Sequence, residues 1–504
     1  MIQGRQIGIV DTTMRDGNQS LWGAVGLTTP DVVQIAPVVE RVGYTACDFT
    51  SSTHMAVSVR FHKEDPWERI RLVSAAMPAT PLSMIGTGMR FISWVPAAED
   101  LIELSFRAVA RNGIRRFQIA DPSNDPARIR RIAALAKRNG IEEVVIGLTY
   151  SISDVHTHAY YAQRAADLAD CPDMDRLYLK DPGGLLTPDA VRELAPPLLA
   201  AAGARPLELH SHCTIGLAPY VYIEGVRAGF QVVHTACGPL SRGTSQPEVV
   251  ATVRNLEADG ASTGLDLEAQ EEVARHFAAV AARDGRPVGA PQEFDAAYYR
   301  HQLPGGMVTT TQRMLGEMGR PELFAAVLEE VPRVRAEMGY PIIVTPVSQL
   351  IATQATQNVL DRERWSTVSD ETVRYFLGHY GEPPAPVDPN IAGRVLARPQ
   401  AGKLKDLEPI SLDGAHDRFG ARISDEELLL RLTMPEQQVD AMLAARGQAP
   451  RPAPRPAPPA PSNEPPRSGR DPLVALLQEL AARPAISDFS LAREGEQVVW
   501  RRAG

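Results

Sequence analysis

Short apolar runs alternate with amphipathic stretches through the first half of the chain. The runs predict strands over Ile7–Thr13, Tyr44–Thr50, Pro81–Gly88, Arg116–Asp121, Val144–Tyr150, Arg176–Asp181, Pro206–His212 and Gln231–Cys237. Between them, apolar positions recur at helical spacing over Asp31–Val42, Pro66–Met77, Ala97–Asn112, Pro126–Asn139, Thr157–Asp170, Thr187–Ala202, Leu217–Gly229 and Pro247–Leu256. Thr-Pro-Asp stands before Val32 and again before Ala190, a helix-start signal, and Asn112-Gly113 and Asn139-Gly140 are stops. Eight strand–helix pairs in about 250 residues match the size of a (β/α)8 TIM barrel. An open doubly wound sheet is the alternative. It calls for a Gly-rich loop after the first strand, and Asp11-Thr-Thr-Met-Arg-Asp16 is not one.

From Leu265 to Ala445 the pattern turns helical. The expected organisation is a barrel over residues 1–264 and a helical domain over 265–447 that completes a funnel at the barrel mouth. Residues 448–470 are proline-rich and read as an extended linker. Residues 471–504 read as a small module, with a helix over Asp471–Arg483 and a hairpin from Phe489–Arg493 and Val498–Arg502.

The barrel reading places chemistry-bearing residues together. Asp16, Asp121, Lys180, His210 and His212 fall at or just past the C-terminal ends of proposed strands, the face that carries active sites in this fold. His210 and His212 are two apart on a strand and share a side. Two imidazoles and a carboxylate suit a divalent transition metal. An ammonium at Lys180 would repel that ion, whereas a carbamate formed on the lysine would be an oxygen ligand. Asp121 serves equally well as a cap of the next helix or as a substrate contact.

Composition narrows the partners. The chain has 504 residues, 44% of them hydrophobic and 22% charged, with a net charge of −9. That balance is ordinary for a globular protein and argues against nucleic acid. Cys47, Cys171, Cys213 and Cys237 are widely spaced and read as buried thiols. No apolar run reaches membrane-spanning length, and Met1-Ile-Gln-Gly-Arg5 lacks a signal peptide's apolar stretch, so a cytoplasmic protein is expected.

Several motifs then resemble one family. Asp11-Thr-Thr-Met-Arg-Asp-Gly-Asn-Gln-Ser20, Glu64-Asp-Pro-Trp-Glu-Arg-Ile70, Lys180-Asp-Pro-Gly-Gly-Leu-Leu186 and His210-Ser-His-Cys-Thr214 look like the biotin-dependent carboxyltransferases. So do Gly243-Thr-Ser-Gln-Pro247, Pro304-Gly-Gly306 and Val344-Thr-Pro346. That family includes oxaloacetate decarboxylase α subunits, the B subunit of pyruvate carboxylase and the transcarboxylase 5S subunit. The resemblance implies a divalent metal (Zn, Mn or Co) held by Asp16, carbamylated Lys180, His210 and His212. It makes Thr244 the proton carrier between biotin and the substrate enolate, with Arg15 and Gln19 polarising the substrate's oxygens. It also implies carboxybiotin on a separate carrier protein, since the chain has no Met-Lys-Met motif for covalent biotin. Expected partners are that carrier, a biotin carboxylase subunit and a small acceptor, pyruvate or oxaloacetate by default, in a homo-oligomer, expected to be a dimer.

The resemblance departs at the substrate pocket. Relatives acting on pyruvate carry an arginine near the third strand that grips the substrate carboxylate, and Thr87 aligns with it. Arg90, three residues on, is the candidate replacement, so Thr87 and Arg90 join Asp121 as expected substrate contacts. The aspartate usual after the second strand is lost in Thr50-Ser-Ser-Thr-His-Met-Ala56. Other readings of the same barrel are a metal-dependent lyase or aldolase without biotin, and an inactive scaffold subunit.

Overall fold

The computed structural model describes residues 2–446, apart from Trp94, Thr345 and Leu407, together with 488–493 and 496–501. Eight strands close into a parallel barrel in chain order: β1 (Gly8–Asp11), β2 (Ala46–Ser51), β3 (Leu82–Gly86), β4 (Ile114–Ala120), β5 (Glu143–Thr149), β6 (Arg176–Asp181), β7 (Leu207–Ser211) and β8 (Val232–Thr235), which pairs back onto β1. This is a TIM barrel. Each predicted strand is present, and β6 has the predicted bounds. Both helices expected to start at a Thr-Pro-Asp signal do so, and four further barrel helices are capped as well. Thr28, Asp65, Asp125, Thr157, Thr187 and Glu248 each accept a hydrogen bond from a backbone N–H of the first turn. Each such cap is worth about 1 kcal/mol. Thr28 forms a full capping box with Asp31.

The barrel interior is polar where the usual filling is branched aliphatic. Arg116 on β4 donates to Glu208 on β7 at 2.6 Å, a bond between strands that are not neighbours and so must cross the interior. Arg116 also donates to Glu143 at 2.8 Å, and Arg176 reaches Glu208 at 3.3 Å. Both carboxylates thus lie against guanidinium groups. Burial would raise Glu208, but Arg116, His234 and Arg176 together outweigh it and depress that carboxyl to about 2.

The helical region divides between two cores. Helix Leu267–Asp284 lies along the barrel helix Thr29–Val42, tied by a bond from His276 to the Asp31 carbonyl at 2.8 Å and by Arg283 on the Asp31 carboxylate at 2.7 Å. Leu303 to Leu404 build a separate apolar cluster around the buried Trp365. Helices Asp425–Thr433 and Glu436–Ala445 return to the barrel, where Leu428, Val439 and Met442 join its core. The Trp67 indole donates to the Glu426 carbonyl at 3.1 Å. Among the described residues no helix is long and apolar enough to cross a membrane.

The chain divides into two compact units, Met1–Pro452 and Ala453–Gly504. In the second, β9 (Asp488–Arg493) pairs antiparallel with β10 (Glu496–Arg501), the predicted hairpin. The proline-rich stretch and the helix expected over Asp471–Arg483 lie outside the described residues.

Candidate active site

The ends of β1, β6 and β7 bring three motifs to one point. After β1 the chain makes a π-helical turn, Thr13–Gly17, which turns Asp16 in over the mouth. Lys180 on β6 and His210 on β7 are register partners, side by side across two strands. His212 follows just past the end of β7. Gly184 in the Lys-Asp-Pro-Gly-Gly motif has φ +69°, and a Cβ there would sit 2.5 Å from the His212 carbonyl oxygen. Only glycine lets that loop close over the histidine. Asp181 holds the same loop, accepting from the backbone N–H groups of Leu185 and Leu186 at 2.8 and 2.9 Å.

One atom lies at the centre of the cluster. Asp16 Oδ2 is 3.1 Å from an Arg15 nitrogen, 3.2 Å from His210 Nε2, 3.4 Å from His212 Nε2 and 3.6 Å from Lys180 Nζ. It is buried, yet none of these groups meets it in hydrogen-bonding geometry. The four residues Asp16, Lys180, His210 and His212 are at most 6% exposed. A buried carboxylate oxygen without a hydrogen bond, facing two imidazole Nε2 atoms, fits a divalent metal. Asp16, His210 and His212 can place one ligand atom each within 4.8 Å of one another.

The electrostatics agree with that donor set. Burial alone would raise Asp16, but the Arg15 and Lys180 charges hold it well below the usual carboxylate range, ready to bind a cation. Burial lowers Lys180 despite the nearby Asp16. That eases the loss of the proton which a carbamate on this nitrogen requires. Burial and the Lys180 charge push His210 well below its ordinary value, which leaves the imidazole neutral. Burial opposes the Arg15 charge, but Asp16 and Asp48 outweigh it and keep Arg15 protonated.

Behind the ligands, hydrogen bonds set the orientation of each ring. His212 Nδ1–H donates to the Thr244 carbonyl at 2.6 Å, which leaves its Nε2 lone pair directed at the cluster. His210 Nδ1 lies 3.2 Å from His234 Nδ1. Gln246 donates to His212 Nε2 at 2.9 Å, a bond that a metal on that nitrogen would displace, while its own Oε1 accepts from Thr12 at 2.7 Å. Gln246 and His234 are site residues that the sequence reading misses. Gln246 stands within the Thr-Ser-Gln-Pro stretch, which is its one local signal, and His234 reads only as part of a strand.

Above this floor opens a cavity of about 790 Å³, walled by the barrel mouth and by Pro304, Val344, Tyr380 and Met434 of the helical region. Arg15, Asp16, Gln19, Thr87, Arg90, Asp121, Lys180, His212 and Thr244 line it, and His210 lies beneath. The walls use these residues differently. Arg15 donates through Nε to Asp48 at 2.8 Å, so much of its guanidinium is committed to the protein. The Asp121 carboxylate accepts from Arg128 at 2.8 Å and from the backbone N–H groups of Ser123 and Asp125 at 2.9 and 3.1 Å, the bonds of a turn residue, while the cap of the next helix is Asp125 and not Asp121 as one reading expected. Thr87 Oγ1 accepts a long bond from the Met89 N–H at 3.4 Å. Thr244 is half-buried, and its hydroxyl donates to the Ser20 carbonyl at 2.9 Å.

Arg90 crosses to the helical region. It donates to the His379 carbonyl at 2.7 Å and lies 4.2 Å from the centroid of the Tyr380 ring. Among the described residues no carboxylate pairs with it, and burial lowers its pKa. A half-buried guanidinium on a cavity wall without a counter-ion is suited to an anionic ligand.

Known proteins agree with this geometry. Residues 298–457 match the family model of a conserved carboxylase domain. The chain is 37% identical over 408 residues to the B subunit of pyruvate carboxylase from Methanocaldococcus jannaschii, covering 80% of this chain and 71% of that protein. It is 29% identical over 453 residues to the 2-oxoglutarate carboxylase large subunit of Hydrogenobacter thermophilus, covering 87% and 69%. In three dimensions it resembles the carboxyl transferase domain of Rhizobium etli pyruvate carboxylase, at 24% identity and a TM-score of 0.78 over 88% of this chain and 78% of that one. It spans 46% of the complete multifunctional enzyme of that organism. With the barrel, the motifs and these relatives in agreement, the chain belongs to the biotin-dependent carboxyltransferases, as a relative of the pyruvate carboxylase B subunits.

Proposed function

We propose that this chain transfers a carboxyl group between carboxybiotin on a separate carrier and an enolisable acceptor, with pyruvate and oxaloacetate as the acceptor pair. The observation that carries the reading is the convergence of Asp16, Lys180, His210 and His212 on the floor of a cavity with Arg90 and Thr244 on its walls. Asp16, His210, His212 and a carbamate on Lys180 would hold the metal. When bound, a divalent metal (Zn, Mn or Co) supplies Lewis-acid stabilisation of an enolate oxygen.

The chain's own residues do the rest. Arg90 pairs with the acceptor's carboxylate and orients it above the floor. Thr87 and Asp121 shape the same wall, Asp121 by holding Arg128 in place. Arg15, kept charged by Asp16 and Asp48, and the Gln19 amide stabilise negative charge as it develops on the acceptor. Thr244 Oγ carries a proton between the biotin ring and the acceptor carbon, turning away from the Ser20 carbonyl as it does so. Walls from both the barrel and the helical region keep water from the enolate.

A second acceptor class has specific support. Arg90 is offset from the position of the usual pyruvate arginine and reaches toward Tyr380. One relative is named for 2-oxoglutarate. A 2-oxo acid with a second carboxylate would suit a cation displaced along the wall. The expected partners are a biotin carboxyl carrier and a biotin carboxylase subunit, in a cytoplasmic assembly built on a dimer of this chain. The test is transfer from free carboxybiotin across pyruvate, 2-oxoglutarate and acyl-CoA thioesters. Turnover with one of the 2-oxo acids is expected. Turnover with none of the panel would refute the reading.

A further inference from the structure

Beneath His210 the barrel holds a buried chain of polar groups that reaches none of the cavity. His210 Nδ1 lies 3.2 Å from His234 Nδ1, His234 Nε2 lies 2.9 Å from Glu208 Oε2, and Glu208 accepts from Arg116 at 2.6 Å. His210, His234, Glu208 and Arg116 are all 0% exposed. The Tyr178 ring stacks on His234 at 5.6 Å with an interplanar angle of 8°, which fixes the imidazole plane.

Two nitrogens facing each other at 3.2 Å need one proton between them. A metal on His210 Nε2 uses that lone pair, so neutral His210 carries its hydrogen on Nδ1 and must donate. His234 Nδ1 must then accept, and its own hydrogen must be on Nε2, pointing at Glu208. The Glu208 carboxylate, which already accepts from Arg116 at 2.6 Å, is the acceptor for that hydrogen. One arrangement of protons satisfies both imidazoles and the Glu208 oxygen that faces them, and it presents the His210 lone pair to the floor of the cavity. We propose that His234 is a positioning residue for the metal centre: anchored by Glu208 and Arg116, it fixes the tautomer of His210 and thereby sets metal affinity. A carboxylate usually accepts from a ligating histidine. Here an imidazole is interposed and the carboxylate lies one bond further away. This inference rests on the metal reading of the site.

The test is metal affinity, measured on the full chain stripped with chelator and titrated with Co(II) against a competing chelator. The visible Co(II) spectrum reports the ligand set. The parent is measured first. A parent that takes up no Co(II) contradicts the metal reading itself, separately from the role of His234. Given binding, His234→Leu keeps bulk but offers no acceptor, and it should weaken Co(II) binding about 10- to 100-fold with an altered spectrum. His234→Gln can accept from His210 and donate to Glu208, and should recover affinity to within about threefold of the parent by the same logic. A merely structural role would move the unfolding temperature and leave the affinity of the folded protein alone. Should the leucine variant fail to fold, Glu208→Gln decides, because its amide lets His234 flip tautomer and should weaken binding about tenfold. Parent-like affinity and spectrum in folded His234→Leu, or in Glu208→Gln when it stands in for it, would overturn the proposal.

Discussion

His212 Nδ1 donates to the backbone carbonyl of Thr244 at 2.6 Å, so the main chain of Thr244 orients a candidate metal ligand while its side chain lines the cavity. The two functions of Thr244 are therefore separable by mutation. Thr244→Ala keeps the carbonyl and removes only the hydroxyl. It should lower the transfer rate by about 10²- to 10⁴-fold with metal content and unfolding temperature unchanged. Thr244→Ser should retain most of the rate. Steady-state kinetics beside metal analysis checks this, and a fully active alanine variant would leave Thr244 as a loop residue alone.

Metal content follows from the floor of the site. Protein purified without chelator should hold about one divalent metal per chain, as a single site of this donor set implies. Lys180→Ala removes the carbamate and should lose metal on dialysis. Added bicarbonate should raise metal retention in the parent and leave the variant unchanged, because only a lysine amine can take up carbon dioxide. Elemental analysis with and without bicarbonate reads both effects. Equal retention by parent and variant would remove Lys180 from the ligand set.

Arg90 links the barrel to the helical region through His379 and Tyr380. If it grips the acceptor's carboxylate, Arg90→Ala should raise KM for the preferred 2-oxo acid about 10- to 100-fold, the worth of a charged hydrogen bond. A KM that stays put in a folded variant would free Arg90 from substrate and leave it as a tie to the helical region.

Asp11 gives a pH test remote from the substrate. It is buried, accepts from the Thr13 N–H at 3.2 Å and receives the Cys47 thiol at 3.6 Å. Burial raises its pKa from 3.8 to about 6, against the lowering effect of the Thr13 bonds. A carboxyl raised in the folded state favours folding while protonated and loses that advantage as pH rises from the unfolded value through about 6. The charge then costs the folded protein about 3 kcal/mol at pH 8. Asp11→Asn should raise the unfolding temperature at pH 8 and change it little at pH 4. Equal shifts at both pH values would contradict the assignment.

Much of the fold was legible because its signals are local. Period-2 and period-3.6 patterns and cap signals such as Thr-Pro-Asp before Val32 and before Ala190 mark element ends within a few residues. The candidate metal residues were legible because each stands at a strand end beside a distinctive motif. What escaped depends on contacts across long separations. Glu208 and His234 lie on strands that read as apolar, and only barrel closure opposes Glu208 to Arg116. Helical periodicity in 265–445 gives faces but not partners, so the return of Leu428 and Val439 to the barrel core could not be read. Arg90 stands out as a candidate substrate contact, yet its carbonyl and ring partners lie near residue 380 and carry no signal near residue 90.

The most direct test of carboxyl transfer is biotin-dependent decarboxylation of oxaloacetate by the metal-loaded chain. Run in reverse, carboxyl transfer moves the group from oxaloacetate to free biotin, whose carboxylated form then loses carbon dioxide, so pyruvate accumulates. Pyruvate release should rise with biotin concentration in the parent, fall to the biotin-free rate in Thr244→Ala, and lose its dependence on biotin on metal removal. Metal-loaded parent protein whose pyruvate release is indifferent to biotin would contradict the central claim.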